Sequence, residues 1–210
     1  MKKYKRKGLL LLLAGTMLLS CIACGSNKTG NTENNKETEV EKKVEIADAN
    51  DILEKVWDTY EAEDTDGNMY NDRFSILGGH FKSARVNKPA KYDLTKASDL
   101  EIMYCVPQDV IPMLDDAATM VHLMRASTFT AGAYHVTDVS NVKSVVEGIK
   151  TKTLGNQWLG GFPDRHIIAV IDEQYVVAAF GDEKVIENFE QALKEVFGKQ
   201  AVVEVKEAIR

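Results

Sequence analysis

Histidine and cysteine side chains supply acid–base, metal-binding and nucleophilic chemistry, and the part of this sequence expected to fold contains four histidines and one cysteine. The histidines are His80, His122, His135 and His166. No two of them stand three or four residues apart, so no helical face carries a pair of metal ligands. His135 and His166 fall near the ends of two predicted strands, where they could meet across a sheet. Cys105 lies in an apolar run and is predicted to be a small core residue.

The sequence contains no motif that specifies a reaction. It lacks HExxH, the G-x-S-x-G elbow of serine hydrolases, the P-loop and the G-x-G-x-x-G fingerprint. The acidic run Asp64–Asn68 fails the spacing of a calcium-binding EF-hand loop in both possible registers and predicts a solvated turn. We therefore predict no catalytic residue, no metal site and no cofactor.

The segment 158–165 is the most informative surface candidate. It places Trp158, Phe162, Asp164 and Arg165 beside glycines, between a predicted helix and a predicted strand. Aromatic and arginine side chains in a glycine-containing loop are typical of binding sites. Together with His135, these residues are our candidates for binding a small ligand or an envelope partner. Alternatively, the two aromatics plug the edge of the core while the two charged residues pair with each other or with water.

The N-terminal segment, residues 1–24, predicts export and lipid attachment. Five basic residues precede an apolar run of about 12 residues, which is too short for a spanning helix of roughly 20. Two cysteines follow that run, as in bacterial lipoprotein signals, where the thiol receives a diacylglyceryl group before cleavage. Cys24 precedes Gly-Ser, as in many lipoproteins of Gram-positive bacteria, whereas Cys21 lies closer to the apolar run. The flanking residues favour Cys24, and Cys21 stays open.

Charge and composition divide the remaining chain into a tether and one domain. Residues 25–45 are polar, with no aromatic side chain, and predict a flexible tether. Residues 46–210 form a segment of ordinary size for a single domain. Five of the 26 basic residues precede residue 8, which leaves 21 against 32 acidic residues, a net charge of −11. This acidity excludes a nucleic-acid-binding surface, and the lipid anchor is the expected contact with the membrane.

Hydrophobic periodicity predicts an α+β domain. We expect a helix over 47–60, a strand over 100–106, a helix over 112–124, a strand over 128–136, a helix after Asp138, a hairpin over 166–180, a helix after Asp182 and a strand over 202–205. From residue 128 this order matches a ferredoxin-like split βαβ unit, an antiparallel sheet with both helices on one face. The earlier helices and strand would extend that unit at its N-terminal side.

Three strings carry a resemblance to a known group of proteins: 128–135, 157–164, and 175–177 with Phe180-Gly181. Together they resemble a family of uncharacterised lipoproteins from Gram-positive gut bacteria, over residues 47–209. The resemblance implies an envelope location and a small α+β domain. The family has no established activity, so no catalytic role carries over to this sequence.

These observations predict a lipid-anchored protein on the outer face of the bacterial cytoplasmic membrane. Because every catalytic motif is absent, we expect a non-enzymatic domain that binds a small ligand or an envelope protein. The alternative is an envelope hydrolase that uses His135, Asp164 or Cys105.

Overall fold

A computed structural model describes residues 43–62, 75–159 and 161–209. The predicted signal segment with Cys21 and Cys24, residues 25–42 of the tether, and the acidic turn at 64–68 lie outside the described residues. Residues Glu41–Arg210 cluster as one compact unit.

The described chain forms an antiparallel sheet with helices on both faces. The strands are β1 (Ile76–Gly78), β2 (Arg85–Val86), β3 (Ala90–Lys91), β4 (Leu114–His122), β5 (Phe129–Val136), β6 (Arg165–Ile171), β7 (Tyr175–Gly181) and β8 (Ala201–Ala208). They are ordered β2-β1-β4-β5-β7-β6-β8, and β3 pairs with β4. The helices are α1 (Ala49–Ala62), α2 (Ala97–Tyr104), α3 (Val142–Leu154) and α4 (Glu183–Phe197). The α+β class predicted from the sequence is therefore confirmed.

Two hydrophobic cores, one on each face of the sheet, hold the helices in place. Helices α1 and α4 share a core with one face, to which β5 contributes Phe129, Ala131 and Ala133. Helices α2 and α3 pack on the other face, to which β5 contributes Tyr134 and Val136. Successive side chains of a strand point to opposite faces, so a strand covered on both sides is apolar at every position. This explains the uninterrupted apolar runs of β6 and β7.

The ferredoxin-like arrangement is not confirmed, because the helices do not share one face of the sheet. Helix α3 connects β5 to β6 across the intervening β7, and α4 connects β7 to β8 across β6. Both connections run in the same direction across the sheet, while β5 and β7 are antiparallel. Right-handed crossovers from antiparallel strands in one direction place their helices on opposite faces. The last strand accordingly pairs with β6, whereas a ferredoxin-like sheet would place it beside β5.

Two of the elements expected from the sequence were wrong in type. The predicted strand at 100–106 is helix α2, which ends where Cys105 adopts a left-handed conformation with φ of 57°. The predicted helix at 112–124 is strand β4. Residues 117–121 of this strand are all buried, so the segment shows no alternation, and a short buried apolar run is compatible with either structure. Pro112 lies in a single 3-10 turn before the strand.

The remaining predicted elements are confirmed, with small shifts at their ends. Helix α1, strand β5, helix α3, the β6–β7 hairpin, helix α4 and strand β8 lie where the sequence places them. Asp138 caps the turn before α3, since its carboxylate accepts a hydrogen bond from the backbone N–H of Ser140 at 2.9 Å. Gly198 ends α4 with a φ of 50°, a conformation that favours glycine.

Candidate functional site

Three segments meet at one end of the sheet around an open cleft of about 520 Å³. They are the C-terminal end of α2, the β4–β5 turn at 123–128, and the 155–164 connection between α3 and β6. Most of the cleft wall is apolar, and its large apolar side chains are Ile102, Met103, Met124, Trp158, Leu159 and Phe180. We call this feature the apolar cleft. Its volume lies within the range of small-molecule binding sites, about 300–1,000 Å³.

Exposed apolar side chains concentrate around this cleft. In the described part of the chain, ten large apolar side chains are exposed, and four of them line the cleft: Ile102, Met103, Met124 and Leu159. Three more, Leu123, Leu154 and Phe162, are close to these in the sequence. Leu159 is 95% exposed, Met124 81% and Phe162 72%. A contiguous exposed apolar patch on a folded protein marks a site of interaction with another molecule. The apolar cleft is therefore the strongest binding site that this structure offers.

The floor of the apolar cleft is a pair of aromatic rings. Trp158 lies edge to face on Phe180, with ring centroids 4.9 Å apart, and packs on the small cluster of Cys105, Phe180 and Ile209. Its indole nitrogen is buried and has no acceptor among the described residues. Trp158 thus closes the edge of the core and lines the cleft at the same time. Phe162 does not plug the core, because its ring projects into solvent.

Asp164 and Arg165 position the 155–164 connection on α4. The carboxylate of Asp164 accepts a hydrogen bond from the backbone N–H of Glu183 at 3.1 Å, in the first turn of that helix. The guanidinium of Arg165 pairs with the side chain of Glu183. Neither residue is among those that line the apolar cleft. The alternative in which Asp164 pairs with Arg165 is therefore not observed, since both residues contact Glu183 instead.

His122 holds the β4–β5 turn in place. Its Nδ1 accepts hydrogen bonds from the backbone N–H groups of Met124, at 3.1 Å, and Arg125, at 3.0 Å. The sequence placed His122 on a helix, where no such turn exists, so this role was missed. A histidine three residues before Arg125, at the start of the stretch Arg125–Thr128, is the signal that could have indicated it.

His135 and His166 do not meet. His135 lies opposite Tyr175 on β7, whereas His166 lies opposite Phe180, five residues further along that strand. At about 3.3 Å per residue, this separates them by roughly 17 Å along the sheet. His135 instead pairs with Asp115, and its ring packs on Tyr175 with centroids 4.7 Å apart. His166 is buried, which lowers its pKa because burial disfavours the imidazolium.

Cys105 is fully buried, as the sequence predicts for a core residue. Burial raises the pKa of its thiol to about 11, so the thiol stays protonated near neutral pH. His135 lies at the opposite end of the sheet from Asp164, which contacts Gly181 through its backbone N–H. The residues of the alternative hydrolase are thus not brought together.

A larger cavity of about 780 Å³ lies at the other end of the sheet. Charged side chains surround it, and Lys43 and Asp172 in its wall form an ion pair. Gln200 in the same wall exchanges two hydrogen bonds with the backbone of Val44. Because these polar groups already have partners, we consider this cavity a weaker candidate than the apolar cleft.

Within the described ranges, no group of three or more histidine, cysteine or acidic side chains is arranged to hold a metal ion. The helices of the same ranges are all too short or too polar to cross a membrane. The fold and the cleft together define a small α+β domain with an open apolar cleft. No protein family, curated protein or solved structure matches the chain. Its resemblance to the uncharacterised lipoproteins remains a prediction.

Proposed function

We propose that this chain is a lipid-anchored protein of the bacterial envelope whose folded domain binds an apolar ligand or envelope partner in the apolar cleft. The observation that carries this proposal is the concentration of exposed apolar side chains around that cleft. A domain without such a role would gain solubility by replacing Leu159, Met124 and Phe162 with polar residues.

The first described residue lies far from the apolar cleft. Lys43 pairs with Asp172 in the β6–β7 turn, at one end of the sheet. The apolar cleft lies at the other end of β7, beside Phe180. A strand of seven residues spans about 20 Å, so Lys43 takes no part in the wall of the cleft.

The proposed cleft is tested with the fluorescent probe 1-anilinonaphthalene-8-sulfonate, which binds exposed apolar surface. The parent chain begins at Gly25, after the predicted signal segment, so that neither its apolar run nor an acyl group competes for the probe. The added pair Met124→Ser and Leu159→Ser, two residues that line the cleft, is expected to abolish most of the probe fluorescence. The matched control, Val86→Ser, removes an apolar side chain that is 61% exposed outside the cleft and should leave the fluorescence unchanged. Equal losses in the two variants would contradict the proposal.

The proposed anchor is tested by mass spectrometry and membrane fractionation in a Gram-positive host. The mature protein is expected to carry a diacylglyceryl group and to sediment with membranes. Cys24→Ser should release it from the membrane fraction, whereas Cys21→Ser should not. If Cys24→Ser keeps the diacylglyceryl group and Cys21→Ser loses it, the lipid is attached to Cys21 instead. Loss in neither variant would contradict lipid anchoring.

A further inference from the structure

The β4–β5 turn, which supplies Met124 to the apolar cleft, depends on one imidazole nitrogen. Two consecutive backbone N–H groups, those of Met124 and Arg125, donate to Nδ1 of His122. The turn has further supports: Leu123 N–H donates to the carbonyl of Ser75 at 2.8 Å, and the hydroxyl of Thr130 donates to the carbonyl of Ala126 at 2.9 Å. A third support lies within the turn, where Thr128 N–H donates to the carbonyl of Arg125 at 3.0 Å. The backbone N–H groups of Met124 and Arg125 themselves are held by His122.

The chemistry of imidazole makes this contact sensitive to protonation. A nitrogen that accepts hydrogen bonds must carry its lone pair, so Nδ1 of His122 is unprotonated in this structure. Protonation converts Nδ1 into a donor that faces two other donors. Rotation of the ring by 180° does not restore an acceptor, because it places a carbon at the former position of Nδ1. The two hydrogen bonds are therefore lost when His122 becomes charged.

Among the described residues, charged groups of two elements act on His122. Arg125, on the turn itself, disfavours the imidazolium, while Asp182, before the first turn of α4, favours it. The neighbouring strand β1 presents Ile76 opposite His122, which adds no charge. Burial is the largest influence and, together with Arg125, lowers the pKa of His122 below its ordinary value of 6.5. The imidazole is thus neutral at pH 7 and becomes charged only at a pH below 6.5.

We infer that His122 is a proton-operated latch on the β4–β5 turn, which holds Met124 and Arg125 in the wall of the apolar cleft when neutral and releases them when charged. This inference concerns the regulation of the site and rests on the proposed function for its biological meaning. Its physical content is independent of any ligand: acidification loosens the apex of the turn and leaves the rest of the sheet intact.

Hydrogen exchange of single amides tests the latch. It is followed by NMR from pH 7.5 down to the pH at which the His122 ring is charged, and it is corrected for the intrinsic exchange rate. In the parent chain, exchange at Met124 and Arg125 is expected to accelerate about tenfold on acidification, with the midpoint at which the His122 ring titrates. His122→Asn keeps an acceptor near the position of Nδ1 but does not titrate, so both amides should stay protected throughout. His122→Ala should leave both amides unprotected at every pH.

The Leu123 amide, which donates to Ser75, serves as the internal control and should not change with pH. The latch is overturned if the His122 ring titrates while exchange at Met124 and Arg125 stays constant, or if His122→Asn follows the parent. If the cleft proposal is wrong, the result is different: the Met124→Ser and Leu159→Ser pair would bind the probe like the parent. Either idea can therefore fail while the other stands.

Discussion

The two ends of the central sheet differ in what their side chains do. At the end of the β6–β7 turn, polar groups have partners within the chain: His135 pairs with Asp115, and Lys91 bridges Asp48 and Asp116 at 3.1 Å each. At the cleft end, large apolar side chains stand in solvent around an open cavity. The first end therefore stabilises the fold through contacts already made. The second retains apolar surface whose burial would release free energy only when another molecule binds.

The largest effect on stability is expected when the floor of the cleft is removed. Phe180 and Tyr175 stand at opposite ends of β7, and only Phe180 is buried. Phe180→Ala should lower the free energy of unfolding by about 3 kcal/mol, because it leaves a cavity under Trp158. Tyr175→Ala should cost about 1 kcal/mol. Urea denaturation of the two variants checks this order, and an equal or larger loss in Tyr175→Ala would contradict it.

A smaller loss is expected at the polar end. The carboxylate of Asp116 accepts hydrogen bonds from the backbone N–H of Ala49, at 2.9 Å, and from Lys91. Asp116→Ala should lower the free energy of unfolding by about 1 kcal/mol, since the start of α1 loses its acceptor. Probe fluorescence at the cleft should not change. Asp109 is exposed, so Asp109→Ala serves as a control for the loss of one negative charge. A fall in probe fluorescence in Asp116→Ala but not in Asp109→Ala would contradict the independence of the two ends of the sheet.

Acidification should weaken the cleft end through His122. Its pKa is lowered in the folded state, so the unfolded chain binds the proton more readily. The stabilisation is complete above the unfolded pKa of about 6.5 and is lost as the pH falls below that value toward the folded pKa. The free energy of unfolding of the parent should therefore fall more between pH 7 and 5 than that of His122→Asn. The pKa of His166 is also lowered, but this histidine is present in both proteins. Its contribution to the pH dependence therefore cancels when the two free energies of unfolding are compared. Parallel pH profiles would contradict the account.

The smallest effect on stability is expected at the most exposed apolar side chain. Leu159 is 95% exposed in the folded domain, so the transfer of its side chain from water contributes almost nothing to folding. Leu159→Ser should change the free energy of unfolding by less than about 0.5 kcal/mol while it reduces probe fluorescence. A loss of stability above about 1 kcal/mol would instead assign Leu159 to the core.

The elements that the sequence predicted correctly are those with a clear period or clear caps. Helix α4 shows its buried stripe from Val185 to Phe197, and the β6–β7 hairpin is two apolar runs separated by three polar residues. Strand β4 was predicted as a helix because Leu114, Ala117 and Val121 also fall at helical spacing. The strand is buried on both faces over 117–121 and therefore lacks the alternation that would have indicated it. Helix α2 was predicted as a strand because Ile102 and Met103, which are exposed, were counted as core residues.

The site was predicted only in part for the same physical reason. Trp158 and Phe162 were singled out from residue type and loop context, which are local properties of the sequence. The other two walls of the cleft come from segments more than 30 residues away in the chain, and their exposure could not be read without the fold. The prediction that α3 and α4 lie on one face of the sheet was wrong. The sequence does not specify the direction in which each crossover runs across the sheet.

The most direct test of the proposed binding site is an amide NMR titration of the chain from Gly25 onward with 1-anilinonaphthalene-8-sulfonate. We expect the largest chemical-shift changes at residues 102–103, 124–127 and 156–161, around the apolar cleft. Changes centred instead on Lys43, Asp172 and Gln200, around the larger cavity at the other end of the sheet, would contradict it.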